Sequence, residues 1–192
     1  LPTTACLLQE RLKLSSACLA FDVNMGCSAY VYGLAMAWSF LKSGLSEKVL
    51  LLNADTYSKF VSRTDRTCRP LFGDGAAATL IEAVEDEDSL GPFDLGTDGR
   101  GWNKLILRGS GTRMIPLAGS ASEVNGSNSA SHYLEMDGAG ILMSAMSIVP
   151  KTVEALLKKA GLGKKDVDLF IFHQASKKVL DIASSSLSDG AA

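Results

Sequence analysis

The sequence predicts an α/β fold in which largely parallel strands alternate with helices. Three observations carry this prediction. KVLLLNAD (48–55) and VDLFIF (167–172) are short apolar runs bounded by polar residues, which is typical of buried strands. Residues 138–160 instead repeat apolar side chains with the period of a helix. Strand-type runs and helical stretches follow one another along the chain, and this order favours parallel pairing through crossover helices.

The first 110 residues are predicted to form two helices and five strands. Gly44 stops the second helix, and two glycines lead into the strand of FGDGAAATLIEAV. The polar, basic stretch SKFVSRTDRTCRP before that strand has no apolar period and is predicted to be a loop. The predicted elements are helices at 4–14 and 27–42 and strands at 18–23, 48–55, 72–84, 91–99 and 104–109.

A second set of elements follows a long stretch, 109–131, that is rich in Gly, Ser and Asn. Pro150 must either kink the helix in which it lies or start a new one, and Gly161 is predicted to cap its end. The set comprises a helix at 138–160, a strand at 167–172 and an amphipathic helix at 177–187. We therefore divide the chain into a first lobe at 1–110, a linker at 111–131 and a second lobe at 132–192.

Composition argues against several classes of function. The 192 residues carry a net charge of −2, which gives no electrostatic reason to expect nucleic acid as a partner. The longest uninterrupted apolar run is shorter than a membrane span, so no membrane is expected. Four cysteines without a C-x-x-C pair, beside only two histidines, argue against a metal site. They do not suggest a disulfide framework either, and a reducing cytoplasm is the expected compartment.

Cys27 stands where a predicted strand gives way, through Gly26, to an apolar helix. At a helix N-terminus the backbone N–H groups and the dipole stabilise an anion, so a thiol there should lose its proton more easily. The same N–H groups can hold an oxyanion, and a helix that is apolar on every face should be buried and should hold the thiol rigidly. Free cysteine is also among the most buried residue types, so a core cysteine is an equal alternative.

His173 follows the predicted strand at 167–172, where the carboxyl end of a strand in an α/β sheet tends to meet ligands. The alternative is a histidine that caps the last helix or bonds a backbone carbonyl. A thiol nucleophile needs a base or a hydrogen-bond donor nearby, so a Cys–His pair from distant segments favours the catalytic interpretation.

Two further stretches carry weaker signals. FGDGAAAT has the glycines of a phosphate loop but neither the lysine nor the spacing of one, and a tight turn into a strand is the simpler interpretation. Arg63, Arg66 and Arg69 either form a solvated face or meet a phosphate or an adenine ring, to which arginine is well suited.

Five motifs in order resemble one enzyme family. Strand–NMGC–SAY–helix, TDR, FGDGAAA, MDG at a helix start and HQA after a strand follow one another between about Pro2 and Leu187. This order is similar to that of β-ketoacyl-acyl carrier protein synthase III, a family of the thiolase superfamily. The resemblance implies a thiolase-like α/β fold with mixed five-stranded sheets packed with helices in layers, of which this chain holds only part of each lobe.

The resemblance also implies a decarboxylative Claisen condensation of acyl-CoA with malonyl-acyl carrier protein. Cys27 matches the nucleophile that is acylated, and His173 matches the histidine that polarises the malonyl thioester carbonyl. The implied partners are acyl-CoA, acyl carrier protein and a second copy of the chain, with CoA as a substrate and no cofactor or metal. The matching substrate-binding positions are Arg66 at the CoA adenine, Gly138 in the pantetheine tunnel, Lys178 facing phosphate or the carrier protein, and Ser176, where family members commonly have Asn.

Part of the family pattern has no counterpart in this sequence. The third catalytic residue, an asparagine in a Gly-Asn-Thr-Ser-type motif, would lie beyond the HQA helix, and the first N-terminal strands would precede Leu1. In a sheet ordered 3-2-1-4-5, the predicted strand at 18–23 then lacks its inner neighbour and leaves an edge to be covered. We therefore expect either a fragment of a longer polypeptide or a second chain that supplies the missing strands.

Three other functions stay open. A thiolase-fold synthase with two acyl-CoA substrates, or an acyltransferase with a hydroxyl or amine acceptor, would share the chemistry at Cys27 and differ in the acceptor. A non-catalytic subunit or fragment of the same fold would lack an unusually reactive Cys27. A papain-like hydrolase also places cysteine at a helix start, but the alternation of strands and helices here does not fit it.

Overall fold

The computed structural model describes residues 2–85, 89–110, 133–185 and 187. Its contacts divide the chain into two units that interleave along the sequence. The first unit comprises Leu1–Asn53 and Ala78–Gly91, and the second comprises Ala54–Ala77 and Pro92–Ala192. The predicted linker at 111–131 lies outside the described residues, so the division into lobes around it stays a prediction.

The carboxylate of Asp22 caps the first helix, α1 (Thr4–Arg11), from 17 and 18 residues further along the chain. It accepts hydrogen bonds from the N–H groups of Thr4 and Ala5 at 2.7 and 2.8 Å. Such N–H groups have no partner within a helix, and an anion there suits the helix dipole. The bond from Ala5, followed by the bond from Thr4, lowers the pKa of Asp22. The FDV stretch is therefore tied to α1.

Helix α2 (Ala29–Lys42) confirms the helix predicted at 27–42, but it is not buried on every face. Its buried residues are all small: Gly33, Ala35 and Ala37. An ideal Cβ placed on Gly33 would lie only 2.6 Å from a δ-carbon of Leu51, so the missing side chain lets the helix approach that residue closely. Tyr30 is 45% exposed, because a helix that is apolar all round needs neighbours on every side and the described elements cover only part of it.

Strands β1 (Lys48–Thr56) and β2 (Asp74–Glu82) pair in a two-stranded sheet and confirm two predicted strands. At one end the N–H of Ala83 donates to the carbonyl of Glu47 at 3.0 Å, and at the other the N–H of Ser58 donates to Asp74 at 2.8 Å. The start of β1 therefore lies beside the end of β2, and the pair is antiparallel. The expectation of parallel pairing is wrong here because no crossover helix lies between the two strands.

A second sheet pairs β3 (Leu105–Leu107) with β4 (Leu134–Met136), again antiparallel, with Ile106 opposite Glu135. Beside it lies a small core in which Val61, Cys68 and Leu134 are buried. The rings of Tyr57 and Phe72 stack at a centroid distance of 5.0 Å and pack against this core. Burial, aided by a hydrogen bond to Asp65, raises the pKa of the Cys68 thiol to about 11, so this cysteine is a core residue.

Two helices complete the second unit, α3 (Gly138–Ala160) and α4 (Lys177–Ser185), and they contact each other. α3 continues through Pro150, so the proline does not start a new helix, and Gly161 ends α3 in the left-handed conformation as predicted (φ 69°). By length and composition alone, α3 is the one helix in the described ranges that could cross a membrane. Core helices of soluble proteins meet the same criterion, so it assigns no membrane.

Three predicted strands, at 18–23, 91–99 and 167–172, are not strands within the described part of the chain. A strand exists only through hydrogen bonds to a neighbour, and no described segment pairs with any of the three. The segment 167–172 shows this most clearly: Leu169 and Ile171 are 71% and 79% exposed, while Phe170 and Phe172 stack on each other. Its side chains keep the alternation of a strand, although none of the described strands pairs with its backbone.

Candidate functional site

Cys27 lies in a 3₁₀ turn, Gly26–Ser28, that leads directly into α2. Gly26 adopts a left-handed backbone conformation (φ 55°), which glycine accepts without strain. The hydroxyl of Ser28 donates to the carbonyl of Met25 at 2.9 Å and closes the turn. Cys27 is exposed in the described part of the chain, which favours a reactive thiol over a core cysteine. The turn thus presents an accessible thiol at the start of an apolar helix.

His173 lies in the segment without secondary structure that precedes α4, and it is exposed. The residue that caps α4 is Ser176: its hydroxyl accepts from the N–H of Val179 at 3.4 Å, and its carbonyl accepts from the N–H of Leu180 at 3.1 Å. The alternative in which His173 caps the last helix is therefore wrong. Lys178 is exposed in the first turn of α4.

Arg66 lies in a loop that is held by hydrogen bonds between its own side chains and its own backbone. Asp65 accepts from the N–H groups of Thr67 and Cys68 at 2.7 and 3.0 Å, and these bonds, that of Cys68 first, lower the pKa of Asp65. The guanidinium of Arg69 donates to the carbonyl of Arg63 at 2.8 Å and ties the loop together. Arg66 is exposed on this ordered loop.

The FGDG stretch has a structural role that sequence reasoning missed. The carboxylate of Asp74 accepts from the hydroxyl and the N–H of Ser58 at 2.6 and 2.8 Å, and these bonds lower the pKa of Asp74. Asp74 therefore holds Ser58, the second residue after β1, beside the start of β2. Neither Gly73 nor Gly75 has an atom within 4 Å of a built Cβ, so the acid between the glycines is the residue with a clear role.

The MDG motif forms the start of α3. The side chain of Asp137 caps the helix by accepting from the N–H of Gly140 at 2.9 Å. A Cβ on Gly138 would meet only the ε-carbon of Met136 at 3.9 Å, whereas one on Gly140 would lie 2.2 Å from a carboxylate oxygen of Asp137. Sequence reasoning singled out Gly138, yet Gly140 is the sterically constrained glycine. The available signal was an aspartate ahead of a helical period, a common cap.

Replacing Gly140 by alanine is expected to lower the free energy of unfolding by about 1 to 2 kcal/mol, because the new methyl group displaces the capping carboxylate. The matched control is Gly138→Ala, whose Cβ has room and whose alanine favours the helix. Thermal unfolding of both variants measures the difference. Equal destabilisation at the two positions would contradict the capping role of Asp137.

The predicted site residues do not all lie in the same structural unit. Cys27 belongs to the first unit, whereas Arg66, Gly138, His173, Ser176 and Lys178 belong to the second. The expectation that Cys27 faces His173 across a cleft therefore stays a prediction. Among the described residues no group of three or more His, Cys, Asp or Glu side chains could hold a metal ion.

The chain is similar in sequence and in structure to known proteins. The family model described as 3-oxoacyl-[acyl-carrier-protein] synthase III matches residues 21–99. A β-ketoacyl-[acyl-carrier-protein] synthase III of Syntrophomonas wolfei is 38% identical over 186 residues, which cover 95% of this chain and 53% of that protein. A crystal structure of a 3-oxoacyl-(acyl-carrier-protein) synthase III superposes with a TM-score of 0.88 at 41% identity, covering 97% of this chain and 57% of that one.

The priming β-ketosynthase of a polyketide biosynthetic pathway is more distant, with a TM-score of 0.82 at 26% identity over 97% of this chain and 53% of that one. The fold shared with these solved structures is that of the thiolase-type condensing enzymes. Within that class, the chain is similar to the 3-oxoacyl-acyl carrier protein synthase III family. It spans about half the length of the curated relatives it matches.

Proposed function

We propose that this chain takes part in the synthesis of 3-oxoacyl-acyl carrier protein from acyl-CoA and malonyl-acyl carrier protein, as an acyltransferase of fatty acid biosynthesis. The observation that carries the proposal is the exposed Cys27 in a glycine-dependent turn at the start of α2, inside the segment matched by the family model. An accessible thiol at such a position can attack an acyl thioester, whereas a core cysteine could not.

The proposed reaction has two halves. The thiolate of Cys27 attacks the carbonyl carbon of acyl-CoA, the acyl–sulfur bond to CoA breaks, and CoA leaves as the thiol after taking a proton. Malonyl-acyl carrier protein then loses CO₂, and the electron pair of the broken bond forms an enolate of the thioester. The enolate carbon attacks the acyl group on Cys27 and releases the Cys27 thiolate, which can begin a new cycle.

His173 is proposed to donate a hydrogen bond to the malonyl thioester oxygen, where the negative charge of the enolate develops. A donor already in place at that oxygen stabilises the transition state more than the ground state, which is the requirement for a rate increase. Its exposure leaves the imidazole accessible to a substrate.

Four other residues are proposed to contact substrate. Arg66 is proposed to pack on the CoA adenine, and Gly138 to line the pantetheine channel at the start of α3. Lys178, exposed on α4, would meet a phosphate or the carrier protein. Ser176 is the weakest of the four, because its hydroxyl already accepts from the backbone of α4. We further propose a cytoplasmic homodimer that uses no cofactor beyond the CoA thioester.

The proposal is tested by incubating the protein with acyl-CoA and measuring its mass. We expect one acyl group per chain, on Cys27 after peptide mapping, and release of a 3-oxoacyl-acyl carrier protein when malonyl-acyl carrier protein is added. No covalent acyl group would overturn the proposal. Loading without condensation would instead support a second candidate function, acyl transfer to a different acceptor.

Replacing Arg66 by alanine is expected to raise the KM for acyl-CoA about tenfold, the effect of losing one contact worth about 1.4 kcal/mol. An acyl-pantetheine substrate has no adenine, so its KM should change little. Steady-state loading rates with both substrates measure the difference. The control is Arg11→Ala, which removes an exposed cation from α1. Equal loss with both substrates would argue against a contact between Arg66 and the nucleotide.

A further inference from the structure

Lys104 lies just before β3, and its side chain reaches the first turns of α3. The two residues it contacts there are 36 and 40 positions further along the chain. Its ammonium group donates to the hydroxyl of Ser144 at 2.6 Å and to the carbonyl of Gly140 at 3.3 Å. The same hydroxyl donates to the carbonyl of Gly140 at 2.8 Å, so the three groups form a closed set of hydrogen bonds. Lys104 is half-buried, unlike most lysines of a protein surface.

The stem of Lys104 lies in a slot formed by two glycines. A Cβ on Gly140 would lie 3.3 Å from the δ-carbon of Lys104, and a Cβ on Gly101 would lie 3.5 Å from the same atom. The backbone adds a further bond, because the N–H of Asp137 donates to the carbonyl of Lys104 at 2.7 Å. Side chain and backbone of one residue therefore hold the start of α3.

Helix electrostatics do not explain this placement. The N-terminus of a helix carries a partial positive charge and normally disfavours a lysine. Lys104 nevertheless places its ammonium at the first turns of α3, where charge-assisted hydrogen bonds to Ser144 and Gly140 hold it. Such an arrangement fixes one geometry of the helix start, which a solvent-exposed lysine would not do.

We propose that Lys104 is a positioning residue, which fixes the first turn of α3 and so sets the place of Gly138 for the pantetheine chain of the substrate. The inference rests on the proposed function, because Gly138 is proposed there to line the channel. Lys104 touches no reacting atom in this scheme. It acts through Gly140 and Ser144, and its effect should fall on substrate binding more than on the chemical step.

The test compares the full chain with Lys104→Met, Ser144→Ala and the double variant, using acyl-pantetheine as the substrate. Methionine keeps the apolar stem and removes the donor, and alanine at position 144 removes the acceptor while favouring the helix. Each single change should raise the KM about tenfold with kcat within a factor of two. The double variant should raise the KM by clearly less than the product of the two single effects, because both single changes remove the bond between Lys104 and Ser144. Lys151→Met, an exposed lysine on α3, is the control and should match the unaltered protein.

Hydrogen exchange of the α3 peptides separates this inference from the proposed function. In Lys104→Met, exchange should rise in the first turns of α3 and stay unchanged in its last turns. Unchanged exchange at the helix start, or additive effects on KM, would overturn the positioning role. Faster exchange with an unchanged KM would show a purely structural bond and would also overturn it. If the unaltered chain is never acylated, the proposed function fails and the substrate role of Lys104 fails with it, whatever the exchange shows.

Discussion

Cys27→Ala should abolish acyl loading while leaving the fold intact. Alanine keeps the backbone of the 3₁₀ turn, since Gly26 supplies its left-handed conformation and Ser28 its closing hydrogen bond. Only the sulfur is lost, and without it no covalent thioester can form. We expect at least a thousandfold lower loading rate, the scale seen when a catalytic nucleophile is removed. Mass spectrometry after incubation with acyl-CoA measures the loading, and thermal unfolding checks the fold.

The other cysteines provide internal controls for this experiment. Cys6 and Cys18 are exposed like Cys27, so a general reactivity of surface thiols would acylate all three cysteines. If Cys27 is the nucleophile, Cys18→Ala should still be acylated at Cys27. Cys68 is buried with a pKa of about 11, so its thiol stays neutral at ordinary pH and should resist iodoacetamide. Continued loading of Cys27→Ala would remove Cys27 as the nucleophile. Equal iodoacetamide rates at Cys6, Cys18 and Cys27 would favour a non-catalytic role for the chain.

Gly33→Val should destabilise the protein by about 1 to 3 kcal/mol and lower its melting temperature by about 2 to 10 °C. Gly33 is buried, and even a single Cβ there would lie 2.6 Å from Leu51. Valine adds two methyl groups beyond this Cβ at the place where α2 approaches β1, so Leu51 has to move or the helix must shift. Thermal unfolding by circular dichroism measures the loss.

A compensating variant shows whether the close approach is the cause. In a Leu51→Ala background the δ-carbons that Gly33→Val would strike are absent, so the added penalty of valine should shrink. Gly75→Ala is the control, because a Cβ at that glycine has no atom within 4 Å. A penalty of the same size with and without Leu51 would mean that the valine acts through the helix backbone alone.

The helices could be predicted from the sequence because their signals are local. α2, α3 and α4 begin and end close to the predicted residues, and Gly161 caps α3 as expected. Strands depend on partners that can lie far away in the chain, so apolar character alone predicted β1 and β2 correctly and 167–172 wrongly. Pairing direction failed for a related reason, since it follows from the connection and not from the strand.

The residues of the candidate site likewise divide into those with a local sequence signal and those without one. Cys27 could be found from the sequence because the glycine, the cysteine and the apolar helix follow one another directly along the chain. Asp74, Gly140 and Lys104 were missed because their roles depend on contacts with residues that are distant in sequence or on a steric limit visible only in three dimensions. Neither the composition nor the apolar period of the sequence reveals that a polar residue makes such a contact.

The unpaired segment at 167–172 has a consequence for the behaviour of this chain in solution. Its alternating side chains leave Leu169 and Ile171 exposed, and its backbone N–H and carbonyl groups form no strand pair within the described residues. Apart from Asp168 the segment is apolar, and it contains neither proline nor lysine, so it is a template on which an identical stretch can add through cross-β hydrogen bonds. Wherever this segment is left uncovered, colloidal aggregation competes with folding, and the competition grows with protein concentration.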